Sequence, residues 1–249
     1  MPSRLSASTR PNGRDRGWVA VPRPPARLLL RPGVELGRLL GPVCQVLRGR
    51  RWSSLTLAGV GSVLTVACAA AGRVLHDPHW LTDATAERAS LPVTTALERL
   101  PGSLFAPTQG LPLWAAVAQL AAAAALAQVV CGAARAVGVG LGAHVTATLV
   151  TRLTLAVGPL VPLAMPAATR FVLDTGPSAA ALGLAAYVCI RMRCGALFAV
   201  LAAEPVIELW LRPTTLAGHE HLAAVAIGAV VALVARPGQI SPVGRPPGR

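Results

Sequence analysis

Apolar residues along this chain come in long blocks with short polar breaks between them. A helix needs about 20 such residues to cross a bilayer, and the pattern predicts six spans. Trp52 marks an interface, and 53–75 is the first span. The second covers 112–133 and the third 139–161, with "RAVG" at 135–138 as the tight turn between them. The fourth starts at 178 and stops at Arg191, the fifth runs 194–211, and the sixth 218–235. The connection 76–111 is polar and holds an amphipathic stretch at 90–100, whereas 162–177 is a loop containing Pro and Ala.

The expected architecture is an all-α integral membrane protein whose six-helix bundle occupies 53–235. Residues 1–52 read as a basic cytoplasmic tail, disordered over 1–33. A short interfacial helix at 34–48 is expected to be interrupted by Gly41-Pro42. Residues 236–249 read as a second disordered cytoplasmic tail.

Composition agrees with this pattern. The chain has 249 residues, 53% hydrophobic and 13% charged, a balance foreign to soluble domains. The formal charge is +13, and all 23 basic residues are arginine, eleven of them within 1–52. Next to a membrane segment such a tail reads anionic lipid and sets topology. No stacking aromatics or binding motif accompany the charge, so it does not indicate nucleic acid. Cys44, Cys68, Cys131, Cys189 and Cys194 have no metal-ligand spacing and read as packing residues. Residues 1–33 contain no apolar core of signal-peptide length.

Arginine bias predicts orientation. With the N-terminus inside, the tail arginines share one side with Arg135, Arg191, Arg193, Arg236, Arg245 and Arg249. Arg73, Arg88, Arg99, Arg170 and Arg212 fall on the other. The positive-inside rule then predicts six spans with both termini inside.

The fourth apolar segment is short. Residues 178–190 cover about 20 Å at ~1.5 Å per residue, against a hydrocarbon core of about 30 Å. With Arg191 and Arg193 at the inner interface, its start must lie below the outer surface. Irregular backbone at that depth needs protein or water around it. Gly176-Pro177-Ser178 therefore predicts a wet, outward-opening cavity with Ser178 at its floor. Gly176 allows the sharp turn and Pro177 suits the first helical turn.

A serine in a membrane helix ordinarily bonds to a carbonyl or a neighbouring helix. A nearby base would change its meaning. His219 and His221 lie at the outer end of the sixth span, on the side of Ser178. Ala224 and Gly228 follow His221 at three and seven residues, as Ala181 and Ala185 follow Ser178. Packing these two small-residue faces would bring hydroxyl and imidazole together as an activated nucleophile. His221 is preferred as base because the small face runs from it, and His219 is the alternative.

Gly-x-Ser at 176–178, the A-L-G-x-x-x-Y pattern at 181–187 and His221-Leu-Ala-Ala-Val-Ala-Ile-Gly228 resemble the fourth and sixth helices of rhomboid intramembrane serine proteases. "LGAHVTATLVTRL" at 141–153 and the run Asp174, Gly176, Ser178 are similar to divergent actinobacterial rhomboid-like membrane proteins. The similarity covers about 80–240. It implies a six-helix rhomboid-like fold in a bacterial plasma membrane and a catalytic Ser178/His221 dyad, with neither metal nor cofactor. The family's second-helix oxyanion positions fall near Gln119 and Ala123. Gln119 can donate a hydrogen bond to the oxyanion and Ala123 cannot. Gly176 supports the serine turn. Leu182 replaces an aromatic, and Ala179 a glycine.

Three functions follow: a protease cutting transmembrane protein substrates, a pseudoprotease binding transmembrane clients without cutting, and a small-solute or proton pathway using Glu204 and Arg152. Pairing of Glu204 with Arg152 is expected. His144 reads as a packing or helix-bonding histidine near the inner end of its span. His76, Asp77 and His79 read as a solvated loop group.

Overall fold

The computed structural model describes residues 32–74, 84–106, 112–158, 165–174 and 176–235. The disorder expected over most of both tails and the His76–Asp77–His79 group lie outside them. Eight α-helices occur among the described residues: α1 Pro32–Arg48, α2 Thr56–Val74, α3 Val93–Ser103, α4 Leu113–Cys131, α5 Ala133–Val157, α6 Ser178–Arg191, α7 Gly195–Leu211 and α8 Leu216–Val234. There is no strand among these residues, only a single antiparallel bridge between Glu87 and Asp174. Four helices, α2 with its Trp52–Leu55 lead-in, α4, α5 and α8, are long and apolar enough to cross a membrane. The chain is an all-helical, multi-pass membrane protein.

Two polar devices fix helix starts that apolar burial alone would leave unsatisfied. Gln128 of α4 accepts the Leu57 N–H at 2.8 Å and donates to Thr56 Oγ1 at 2.9 Å, capping α2 from its neighbour. Glu35 of α1 is fully buried, and its carboxylate accepts the N–H groups of Ala196 and Leu197 at 3.2 and 2.9 Å. A carboxylate here also suits the positive end of the α7 dipole. Glu35 and the buried Val46 dock α1 along its length. The helix therefore continues through Pro42 instead of stopping there, because proline removes only one helical N–H.

The α4–α5 turn also differs from expectation. Gly132, at φ 85°, ends α4 and starts α5, so Arg135–Gly138 are helical. A single glycine at positive φ makes the reversal that the sequence reading placed at 135–138.

At the centre stands α6, which packs against α4, α5, α7 and α8. It has 14 residues, nine of them buried, including Tyr187 at 0% exposure. Surrounded by protein, it has no hydrocarbon thickness to match. The backbone before it finds partners in the 86–103 segment, which folds into the same end of the bundle. Glu87 and Asp174 exchange backbone bonds at 2.9 and 2.8 Å, Ser90 donates to the Arg170 carbonyl, and Gly176 donates to that of Ser103. Protein therefore supplies the backbone partners that this depth requires, while Ser178 itself stays half-buried.

Candidate functional site at the head of the central helix

The site begins with a helix contact that only glycine permits. A Cβ on Gly228 of α8 would overlap the Gly183 carbonyl oxygen of α6 and stand 2.9 Å from its carbonyl carbon. A Cβ on Gly183 would collide with Ala143 of α5 and lie 3.2 Å from the Ala224 carbonyl. Ala147, Ala179 and Ala224 join α5, α6 and α8 one turn further on. Thus α6 and α8 run side by side in one direction. Ser178 lies five residues before Gly183 on α6, and His221 seven residues before Gly228 on α8.

The Ala224/Gly228 face of α8 is used as expected. The opposing face of α6 differs, being Ala179–Gly183 instead of Ser178–Ala181. Ala181 packs toward α4 and α5, in a cluster with Ala123, Ala127 and Val139. Successive helical residues point about 100° apart, so Ser178 sits beside the α6–α8 contact and not within it. Glycine at 183 admits a closer backbone approach than alanine at 181 or 185 allows, and this decides the face.

Ser178 is half-buried, and no hydrogen bond joins it to His221 among the described residues. His221 turns Nδ1 toward α7, 3.7 Å from Glu204 Oε2 and 3.8 Å from Glu208 Oε2. The alternative base, His219, is engaged at Nδ1 with the Thr215 carbonyl at 2.8 Å. A carbonyl only accepts, so Nδ1 carries the proton in that bond. Gly176 takes φ 118°, the turn conformation expected of it. Its N–H, however, is committed to Ser103 at 2.8 Å. Gln119 is half-buried on α4 with no hydrogen bond to Ser178 or His221 among the described residues. At the head of α6 the first helical bond runs from Ala181 N–H to Pro177 at 2.8 Å. The N–H groups of Ser178 and Ala179 precede it, facing the start of the helix.

A second polar group lies behind this site. The Ser103 hydroxyl and His144 Nε2 are 3.0 Å apart, with Ser103 at 0% and His144 at 2% exposure. His144 stands at mid-α5 and bonds a connecting segment, so its helix-bonding role holds while its expected place near the span's end does not. Arg152 pairs with Glu87 and donates to the Arg88 carbonyl at 3.0 Å and to that of Leu91. The expected Glu204–Arg152 pair is therefore absent: the 87–91 segment occupies Arg152, and Glu204 faces His221. Glu220 is buried close to the Asp174 carboxyl. The Glu87 carboxyl is raised above its ordinary range by burial and by Asp174, against the opposing pull of Arg152.

Sequence reasoning missed Glu87, Ser103 and Glu220. Glu220 carried a usable signal, being a carboxylate near the start of an apolar helix. Glu87 and Ser103 did not, since nothing local distinguishes them from solvated loop residues.

Ser103 and His144 have the separation of a nucleophile and its base, but their burial leaves no room for a substrate carbonyl. That bond anchors the 86–103 segment. Ser178 and His221 are less enclosed, and the carboxylates behind His221 can orient it. Glu204, Glu208 and His221 also form a set able to hold a cation. No protein-family model, curated protein or solved structure matches the chain.

Proposed function

We propose that this chain is a rhomboid-like intramembrane serine protease acting on transmembrane protein substrates, with Ser178 as nucleophile and His221 as base. The observation that supports the reading is the glycine-mediated docking of α6 along α8, the two helices that carry Ser178 and His221. With Nδ1 toward Glu204 and Glu208, the imidazole keeps its Nδ1 proton and presents the Nε2 lone pair. Nε2 accepts the Ser178 proton as Oγ attacks the scissile carbonyl, then returns it to the leaving amine. The N–H groups at the head of α6 are suited to the oxyanion.

Fluorophosphonate labelling of the detergent-solubilised protein tests this. Wild type is expected to label, and Ser178→Ala and His221→Ala to lose on the order of 10⁴-fold or more of the rate. Equal labelling of Ser178→Ala would sink the assignment.

The missing Ser178–His221 bond favours a second reading, a pseudoprotease that holds membrane clients without cutting them. An apolar cavity of about 270 Å³ between α2, α4, α5, α6 and the end of α3 suits such a role. A wild type that fails to label, yet crosslinks to a single-pass client from Leu141, would decide for it.

The proposal includes six membrane helices, α2 and α4 to α8, in a bacterial plasma membrane with both termini inside. Its support is the arginine bias, which sets Arg135, Arg191 and Arg193 opposite Arg88, Arg99, Arg170 and Arg212. In a cysteine-free background, Ser90→Cys and Ala168→Cys are expected to react with an impermeant maleimide on intact cells, and Met192→Cys only after permeabilisation. The reverse pattern would turn the site toward the cytoplasm.

A further inference from the structure

The α7–α8 contact carries a ligand set whose chemistry goes beyond orienting an imidazole. Glu204 and Glu208 lie one turn apart on the same face of α7, and His221 meets them from α8. One ligand atom from each lies within 4.8 Å of the other two. Zinc bonds of about 2.0–2.1 Å in a tetrahedron place ligand atoms roughly 3.3 Å apart. The observed 3.7 and 3.8 Å from Nδ1 to the two carboxylates need only a small side-chain contraction to match.

Two further observations point to a cation. His221 Nδ1 is buried without a hydrogen-bond partner, although it faces two carboxylates. No arginine among the described residues pairs with either carboxylate, and the Glu204 side chain is 53% exposed on α7, which the proposed topology places in the membrane. Carboxylates within a membrane are costly without a counter-charge. One imidazole and two carboxylates leave one position of a tetrahedral site for water, the usual arrangement of an accessible zinc site.

We propose that Glu204, Glu208 and His221 bind a divalent transition-metal ion of the zinc class, and that the bound ion switches off His221 as a base. The switching half rests on the serine protease reading; the binding half does not. A metal on Nδ1 uses that nitrogen's lone pair, so a neutral ring must carry its proton on Nε2. Nε2 then donates, and it cannot accept the Ser178 proton. With the ion gone, the Nδ1 proton faces the two carboxylates and Nε2 is again the acceptor. The two arrangements exclude one another, so the ion acts as a reversible inhibitor.

Cobalt(II), added to metal-stripped full-length protein in detergent, reports binding through its visible ligand-field bands. Wild type and Ser178→Ala are expected to bind one equivalent with tetrahedral bands, displaced by zinc. Glu208→Gln and His221→Ala are expected to bind at least on the order of 100-fold more weakly, while eluting from size exclusion as wild type does. The double variant His76→Ala/His79→Ala is expected to bind normally. Bands that survive in Glu208→Gln and vanish in His76→Ala/His79→Ala would overturn the assignment, as would no tetrahedral spectrum in wild type. Zinc is expected to abolish fluorophosphonate labelling of wild type and EDTA to restore it. Any labelling that Glu204→Gln retains should resist zinc. Labelling of wild type that zinc leaves unchanged would overturn the switch. Loss of labelling without loss of cobalt binding would count against the protease reading alone.

Discussion

Gly228→Ala is expected to lower the thermal midpoint of the detergent-solubilised protein sharply and to abolish labelling at Ser178. The added methyl would sit inside the Gly183 carbonyl and 3.0 Å from the Gly183 Cα. These are backbone atoms, so no rotamer change relieves the overlap. Overpacking typically costs about 1–3 kcal/mol where side chains can yield, and here α8 itself must move. Gly59→Ala on α2 is the matched comparison, because a Cβ there meets nothing within 4 Å. It should keep or slightly raise the midpoint, since alanine is the better helix former by roughly 0.8–1.0 kcal/mol. Equal midpoints for the two variants would show that the α6–α8 contact is not close. Loss of labelling in Gly228→Ala at an unchanged midpoint would separate the register of the site from the stability of the fold.

Arg152→Met is expected to be as damaging for an electrostatic reason, and the damage should depend on pH. Arg152 joins Glu87 with the carbonyls of Arg88 and Leu91, holding the 86–103 segment against α5. Removing one partner of a buried ion pair costs about 3–5 kcal/mol, because the other charge stays buried. Glu87 already titrates above the ordinary value of 4.5 through burial and Asp174, and Arg152 is what restrains it. A carboxyl raised in the folded state binds its proton more tightly there than in the unfolded chain. Its contribution is complete below the unfolded value and lost as pH rises through the folded one. The Arg152→Met deficit should therefore be full at neutral pH and shrink on acidification. Adding Glu87→Gln should recover much of it at neutral pH by removing the stranded charge. Melting curves at two pH values for both variants test this, and a deficit independent of pH and untouched by Glu87→Gln would refute the charge argument.

Much of the helix inventory is legible in the sequence because the hydrophobic effect acts through contiguous runs. The blocks at 53–75, 112–133, 178–191, 194–211 and 218–235 correspond to helices within a few residues. The errors came where one residue's conformation outweighed a run. Gly132 reverses the chain three residues before the expected turn, and Pro42 stays within a helix that Glu35 and Val46 hold in place.

The site divides along the same line. That Ser178 heads a short helix, and that His221 starts a small-residue face, are local facts set by spacing along the chain. Which face of α6 meets α8 is a tertiary fact: Gly183 and Ala181 offer similar small surfaces, and only the three-way fit with Ala143 and Gly228 selects Gly183. The partners of the charged groups are tertiary as well. Arg152 could reach a carboxylate on α7 or in a connecting segment, and the return of residues 86–103 into the bundle gives it Glu87 and leaves Glu204 to His221. Hydrophobic periodicity specifies that a segment is helical and which side avoids water. In a membrane bundle nearly every side avoids water, so close packing of small residues and the pairing of a few charges decide which helix lies next to which.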